Sequence, residues 1–330
     1  MLRTTFLGRP AAALENDQLR VTILQDGGHI AEILHKKSGV NPLWIPPWSS
    51  SPNPDCGDGV DARLLAGIAG HNVCVDVFGG PSAEEAAAGI DVHGEASVLP
   101  YEIEPEGDDL VQRVEMPLAG LRFERHLALH GDRVQIRESV ENLSATDRPI
   151  AWTQHVTLGP PFLVKGETRF RATATRSKVF ESQFGSNDYL IAGAEFDWPH
   201  APRMGGDSAD LSVFNGAPVS SAFTTHLMDP AREDGFFEAV SGGLLFSYVW
   251  RSADFPWMGI WEENLSRTHA PWNGKTIARG MEFGASPMPE TRRQMIDRGR
   301  LFGVPTYRWV PAKSRISVEY RAVLREVSPQ

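Results

Sequence analysis

Short runs in which apolar and polar residues alternate, separated by Gly, Pro, Asn and Asp, most constrain what this chain can fold into. In Arg133-Val134-Gln135-Ile136-Arg137-Glu138-Ser139-Val140 the two characters trade places at nearly every step. That period of two is what a half-buried strand requires, because successive side chains point to opposite faces. Gly120 to His130 repeats the pattern, and Gly131-Asp132 supplies the turn between the two runs. Similar runs occur at Leu19–Leu24, Ile30–Leu34, Leu110–Met116, Ile150–Leu158, Leu211–Phe214, Gly243–Trp250, Met258–Glu262, Lys275–Phe283 and Arg315–Val323. Helical character is confined to Ala83–Ala88 and Glu290–Asp297, and the Pro- and Gly-rich stretches Pro46–Gly59 and Asp197–Asp210 read as loops. So many strands without alternating helices predict an all-β fold, a large antiparallel β-sandwich, in preference to a parallel α/β sheet. No repeat or linker divides the 330 residues, so one domain over 1–330 is expected.

Hydrophobic residues make up 41% of the chain, enough for the large core that such a sandwich needs. The net charge of -10 argues against a nucleic-acid groove, which needs clustered Lys and Arg. The densest basic group (Arg292, Arg293, Arg298, Arg300) is interleaved with Glu290 and Asp297 and reads as solvated surface. Cys56 and Cys74 lie in no metal-ligand or CxxC spacing, and reduced thiols are expected. The opening MLRTTFLGRPAAALEN lacks the continuous apolar centre of a signal peptide, and no apolar run approaches the ~18 residues that span a membrane. The expectation is a soluble, cytoplasmic protein with no nucleic-acid or membrane partner.

Four stretches place titratable groups beside strand signals: Gly70-His71-Asn72-Val73-Cys74-Val75-Asp76, Asp91-Val92-His93-Gly94-Glu95, Trp152-Thr153-Gln154-His155, and Gly280-Met281-Glu282-Phe283. On the run Ile150–Leu158, alternation puts Ala151, Thr153, His155 and Thr157 on one semi-polar face, suited to the floor of an open cleft. Histidine is the commonest general acid or base near neutral pH. Glu282 stands at a strand end among Met281 and Phe283, where burial raises a carboxyl pKa toward that of a general base. His71, His93, His155 and Glu282 share no short ligand spacing such as HxH or HExxH, so no metal site is expected. No strand–GxGxxG–helix context, Walker loop or GxSxG elbow is present, and no cofactor is expected.

Taken in order, these stretches resemble the aldose 1-epimerase family and its galactose mutarotase-like relatives, and the resemblance runs from about Leu14 to Val323. Ala151-Trp-Thr-Gln-His155 resembles the strand that carries the family's catalytic histidine. Gly280-Met-Glu282-Phe-Gly-Ala-Ser-Pro287 resembles the strand that carries its catalytic glutamate, and His93-Gly94 its substrate-contacting pair. The family's Asn-Arg pair has no counterpart, since the corresponding region reads Gly67-Ile-Ala-Gly-His71-Asn72, and Val156-Thr-Leu-Gly follows His155 where Tyr-Phe-Asn-Leu is usual. The resemblance implies a sandwich that binds a small carbohydrate and interconverts its anomers, with Glu282 as base and His155 as acid on opposite sides of the ring. His71, Asn72 and His93 would bind hydroxyls, and Trp261 or Trp257 would stack on the sugar. Two other readings fit the same residues. One is a carbohydrate-binding protein without turnover. The other is a glycoside-processing enzyme that pairs Glu282 with Glu262, Glu263 or Asp229. With no Arg cluster in the four stretches, a sugar phosphate is disfavoured.

Overall fold

The computed structural model describes residues 1–50 and 53–327. Two large sheets account for most of them, and among the described residues their strands pair antiparallel. A 12-stranded sheet runs, in spatial order, through Leu2–Phe6, Arg9–Glu15, Leu19–Leu24, Ile30–His35, His71–Asp76, Arg148–Leu158, Ile277–Gly284, Trp257–Asn264, Ser220–Met228, Ala174–Val179 and Glu195–Asp197, with Arg308–Val310 pairing beside Arg148. An 8-stranded sheet packs against it, built from Arg169–Ala172, Asp234–Ser241, Leu244–Arg251, Arg315–Glu326, Arg133–Asn142, Leu121–His130, Asp109–Met116 and Glu102–Glu106. This is the antiparallel sandwich that the alternation predicts.

The alternation also explains the layers. Trp152, Val156, Met281, Phe283, Met258 and Ile260 turn inward, where they meet Phe123, Ile136, Phe246, Tyr248 and Trp250 of the smaller sheet. The large sheet carries a second apolar layer on its outer face, including Trp44, Leu64, Phe78, Phe223, Trp257, Trp261 and Trp272. A sheet that is buried on both faces over its centre has no solvated side there, and whatever opens into the outer layer is a cleft.

One polar cluster interrupts the inner core. Glu138 accepts from Nε of Arg125 (2.7 Å), from the Trp152 indole (3.1 Å) and from the Tyr320 hydroxyl (2.6 Å). Burying such an ion pair calls for hydrogen bonds to its remaining polar atoms; the Glu138 oxygens have them, while among the described residues Nη2 of Arg125 has no partner.

The helix read at Ala83–Ala88 forms as Ala83–Ala87, capped by a Ser82–Glu85 box. That read at Glu290–Asp297 forms as Arg292–Arg298 behind Thr291. The sequence reading missed Ala62–Gly67, too short to show a period. It also took Asp197–Asp210 for loop, whereas His200–Pro202 and Ser208–Asp210 pair as a small ribbon. The stretch Pro46–Gly59 contains a single 3-10 turn, Pro54–Cys56, and residues 51–52 of it lie outside the described residues. Among the described residues no helix is long and apolar enough to cross a membrane.

Candidate active site

Strand register builds the site. On the outer face of the large sheet, Asn72, His155, Glu282 and Gly259 lie opposite one another on four consecutive strands. His155 and Glu282 are direct cross-strand neighbours, close enough for side-chain contact on one face. Nε2 of His155 stands 3.1 Å from Oε1 of Glu282. The approach is off the hydrogen-bonding direction, and among the described residues Oε1 has no hydrogen-bond partner. Room for the carboxyl comes from glycine: a Cβ on Gly280 would meet Oε1 at 2.4 Å, and one on Gly259 would meet Oε2 at 3.4 Å.

Burial sets the charges. Removed from water and without N–H donors on Oε1, the Glu282 carboxyl is pushed up to about 8. Burial lowers the His155 imidazole to about 4. Burial thus favours the neutral form of each group. On its other side the imidazole shares a 3.1 Å hydrogen bond with the Thr157 hydroxyl through Nδ1.

The pair opens into a cleft of about 310 Å³, within the range of small-ligand sites, lined among others by Asp61, His93, Phe184, Phe223, Trp261, Arg267, His269 and Trp272. His93 reaches it from a loop in which it adopts the left-handed backbone conformation (φ 67°), followed by Gly94 at φ 78°. The His93 and His155 ring centroids are 4.8 Å apart. Nδ1 of His93 accepts from the Asn72 amide at 3.2 Å, which leaves its Nε2 to donate. Trp261 lies against His155 on the opposite flank, at 5.9 Å.

No protein-family model and no curated protein matches the sequence. Solved structures do. A protein from Escherichia coli K12, provisionally named an aldose 1-epimerase, superposes with a TM-score of 0.67 at 14% identity, over 96% of this chain and 99% of that one. A galactose mutarotase-like protein from Clostridium acetobutylicum gives 0.66 at 12% identity, over 99% and 98%. One from Lactobacillus casei gives 0.60 at 11%, over 96% and 100%. The chain has the galactose mutarotase-like fold.

Within that fold the expected site residues separate into two groups. His155, Glu282, His93 and Trp261 line the cleft together. His71 does not. It lies one residue from Asn72 on the same strand and therefore faces the other way, into the inter-sheet core. There its ring nitrogens bond the Tyr248 hydroxyl and the Gln154 amide oxygen, each at 2.9 Å. A cluster of His71, His93 and His155 is thus not assembled. Asn72 sits behind His93 and steers that ring, so the expected direct contact with hydroxyls is replaced by a supporting one. Trp257 is likewise withdrawn, its indole donating to Pro305.

The expectation that acid and base face each other across the ring is corrected too, since both rise from one sheet face. Of the carboxylates weighed as partners for Glu282, Glu262 points to the opposite face, where it accepts from Ser220. Glu263 accepts from the backbone of Ser266 and Arg267, and Asp229 from that of Ala231. None of the three lines the cleft.

The reading missed Asp61, Arg267 and Trp272. All three come from irregular segments, where no period marks a direction. The one available signal was a Trp inside Ala-Pro-Trp-Asn-Gly just after the strand that carries Trp261.

Proposed function

We propose that the chain is an aldose 1-epimerase-type enzyme that interconverts the anomers of a free sugar. The observation that carries the reading is the His155–Glu282 pair, side by side at the floor of a monosaccharide-sized cleft. Ring opening of an aldose removes a proton from the C1 hydroxyl and delivers one to the ring oxygen. The C1–O5 bond breaks, the aldehyde turns about C1–C2, and closure on the other face reverses both transfers. A pair that holds one proton can accept and donate in the same event, and each positioned acid or base contributes on the order of 10²–10⁴ in rate.

Burial bears on the assignment of roles. With Glu282 at about 8 and His155 at about 4, the resting proton is on the carboxyl. The imidazole is then the base toward the C1 hydroxyl and the carboxylic acid serves the ring oxygen. This reverses the roles that the resemblance implies. The ionised arrangement is the proton isomer of the same pair, reached when the two groups, 3.1 Å apart, turn into line. His93 Nε2–H and the Trp261 face serve as hydroxyl donor and apolar support.

Polarimetry on freshly dissolved α-glucose and α-galactose tests the reading. The protein accelerates the approach to anomeric equilibrium, while Glu282→Gln and His155→Ala do not. Because the active pair carries one proton, kcat/KM follows a bell with limbs near the two shifted pKa values, about 4 and about 8. Unchanged rates in both variants would remove the assignment.

A further inference from the structure

Arg267 enters the same cleft from the loop after Trp257–Asn264. Its guanidinium carbon lies 4.7 Å from the Trp272 ring centre, 5.4 Å from Trp261 and 5.8 Å from Phe184. Three aromatic rings thus fix the orientation of the fork, which lowers the conformational cost of using it. Its closest carboxylate oxygen, Glu263 Oε2, is 3.7 Å away, beyond a good hydrogen bond. The other oxygen of that carboxylate is committed to the backbone N–H groups of Ser266 and Arg267. Among the described residues no side-chain hydrogen bond from this guanidinium is formed, so its donors are available to the cleft. Trp261 touches both this cation and the His155 ring, so one indole links the two ends of the cavity.

Asp61, at the start of the short helix Ala62–Gly67, lines the same cleft, and its carboxyl caps no backbone N–H. A rigid donor fork and an open acceptor facing one cavity match adjacent hydroxyls, each of which accepts one hydrogen bond and donates another. The local charge disfavours an anion. Among the described residues Arg267 is the single guanidinium lining the cleft, Asp61 and Glu263 lie near it, and the chain as a whole carries -10.

We propose that Arg267 and Asp61 together grip a vicinal diol of a neutral sugar, which fixes the ring against the His155–Glu282 pair and makes these two loop residues the determinants of sugar specificity. The proposal rests on the sugar-binding part of the function proposed above and is independent of turnover.

The test is an NMR titration of the full chain carrying Glu282→Gln, with glucose, its 2-, 3- and 4-deoxy analogues, glucuronate and glucose 6-phosphate. One deoxy analogue is expected to bind at least tenfold more weakly than glucose. That difference should disappear when Arg267→Lys or Asp61→Asn is added, while the melting transition stays in place. In the otherwise native enzyme, Arg267→Lys should raise KM by more than it lowers kcat. If Arg267→Lys leaves every affinity unchanged, or no sugar binds, the proposal is overturned. Binding of glucuronate or glucose 6-phosphate tenfold tighter than glucose would overturn the neutral class. Sugar binding with the expected deoxy pattern but no accelerated anomer exchange in the native chain would sustain the grip and remove the epimerase reading alone.

Discussion

Glu282 should make this protein less stable as pH rises, and replacing it should remove that dependence. In the folded chain burial holds the carboxyl proton up to about 8, against an ordinary value of 4.5. Between those limits the native state binds a proton that the unfolded chain has released. Stability therefore falls as pH increases, by about 1.4 kcal/mol per pH unit, until the folded group ionises as well. Glu282→Gln keeps the shape and deletes the titration. The difference between variant and wild type then isolates this one group from the other carboxylates of the chain.

His155 complicates the acid side. Its folded value near 4 lies below the ordinary 6.5, so its contribution is lost as pH falls through that range, with opposite slope. The clean window is therefore pH 6.5 to 8, where the folded imidazole is neutral and the unfolded one is at most half protonated, a contribution that variant and wild type share. Across it the variant should gain about 2 kcal/mol relative to wild type. Above pH 8 the difference should level off. Urea unfolding of both proteins at several pH values in this window gives the number directly. A difference that stays flat from pH 6.5 to 8 would mean that the carboxyl is already ionised at pH 6.5. The neutral-pair reasoning, with its reversed roles for acid and base, would then be wrong.

Other perturbations separate the site from its scaffold. Gly280→Ala places a Cβ where Oε1 of Glu282 lies, 2.4 Å away. The carboxyl must swing off His155, and kcat for anomer exchange should fall about 100-fold with the fold retained; a normal rate would show that the pair tolerates displacement. His71→Ala leaves the Tyr248 hydroxyl and the Gln154 oxygen short of a partner in the core. It should cost about 3 kcal/mol in urea unfolding and leave the anomer-exchange rate of the folded protein near wild type. A large rate loss with unchanged stability would return His71 to the cleft.

The alternation of residues carried much of this structure. It identified the runs Gly120–His130 and Arg133–Val140 as strands joined by a turn at Gly131-Asp132, and they pair as Leu121–His130 with Arg133–Asn142; it also placed His155 with Thr153 and Thr157 on the face that turns out to form the cleft floor. It also contained the warning against His71. Adjacent residues of a strand face opposite ways, so His71 and Asn72 cannot both meet a ligand lying on one side of the sheet. Reading them as a pair overlooked that rule. A larger depression of about 640 Å³, lined by Arg251, Asp254 and Arg308 among others, had no motif in the sequence and holds neither histidine nor Glu282.

By itself, then, the sequence determined which faces its strands present, because side-chain direction is a local property of the backbone. Only the tertiary structure decided that His155 stands opposite Glu282, that glycines clear space for the carboxyl, and that Arg267 and Asp61 enter the same cleft. Register depends on how the inner faces of distant strands pack, and loop direction follows no period. The charge of a buried group depends on neighbours drawn from the whole chain, which no local pattern encodes.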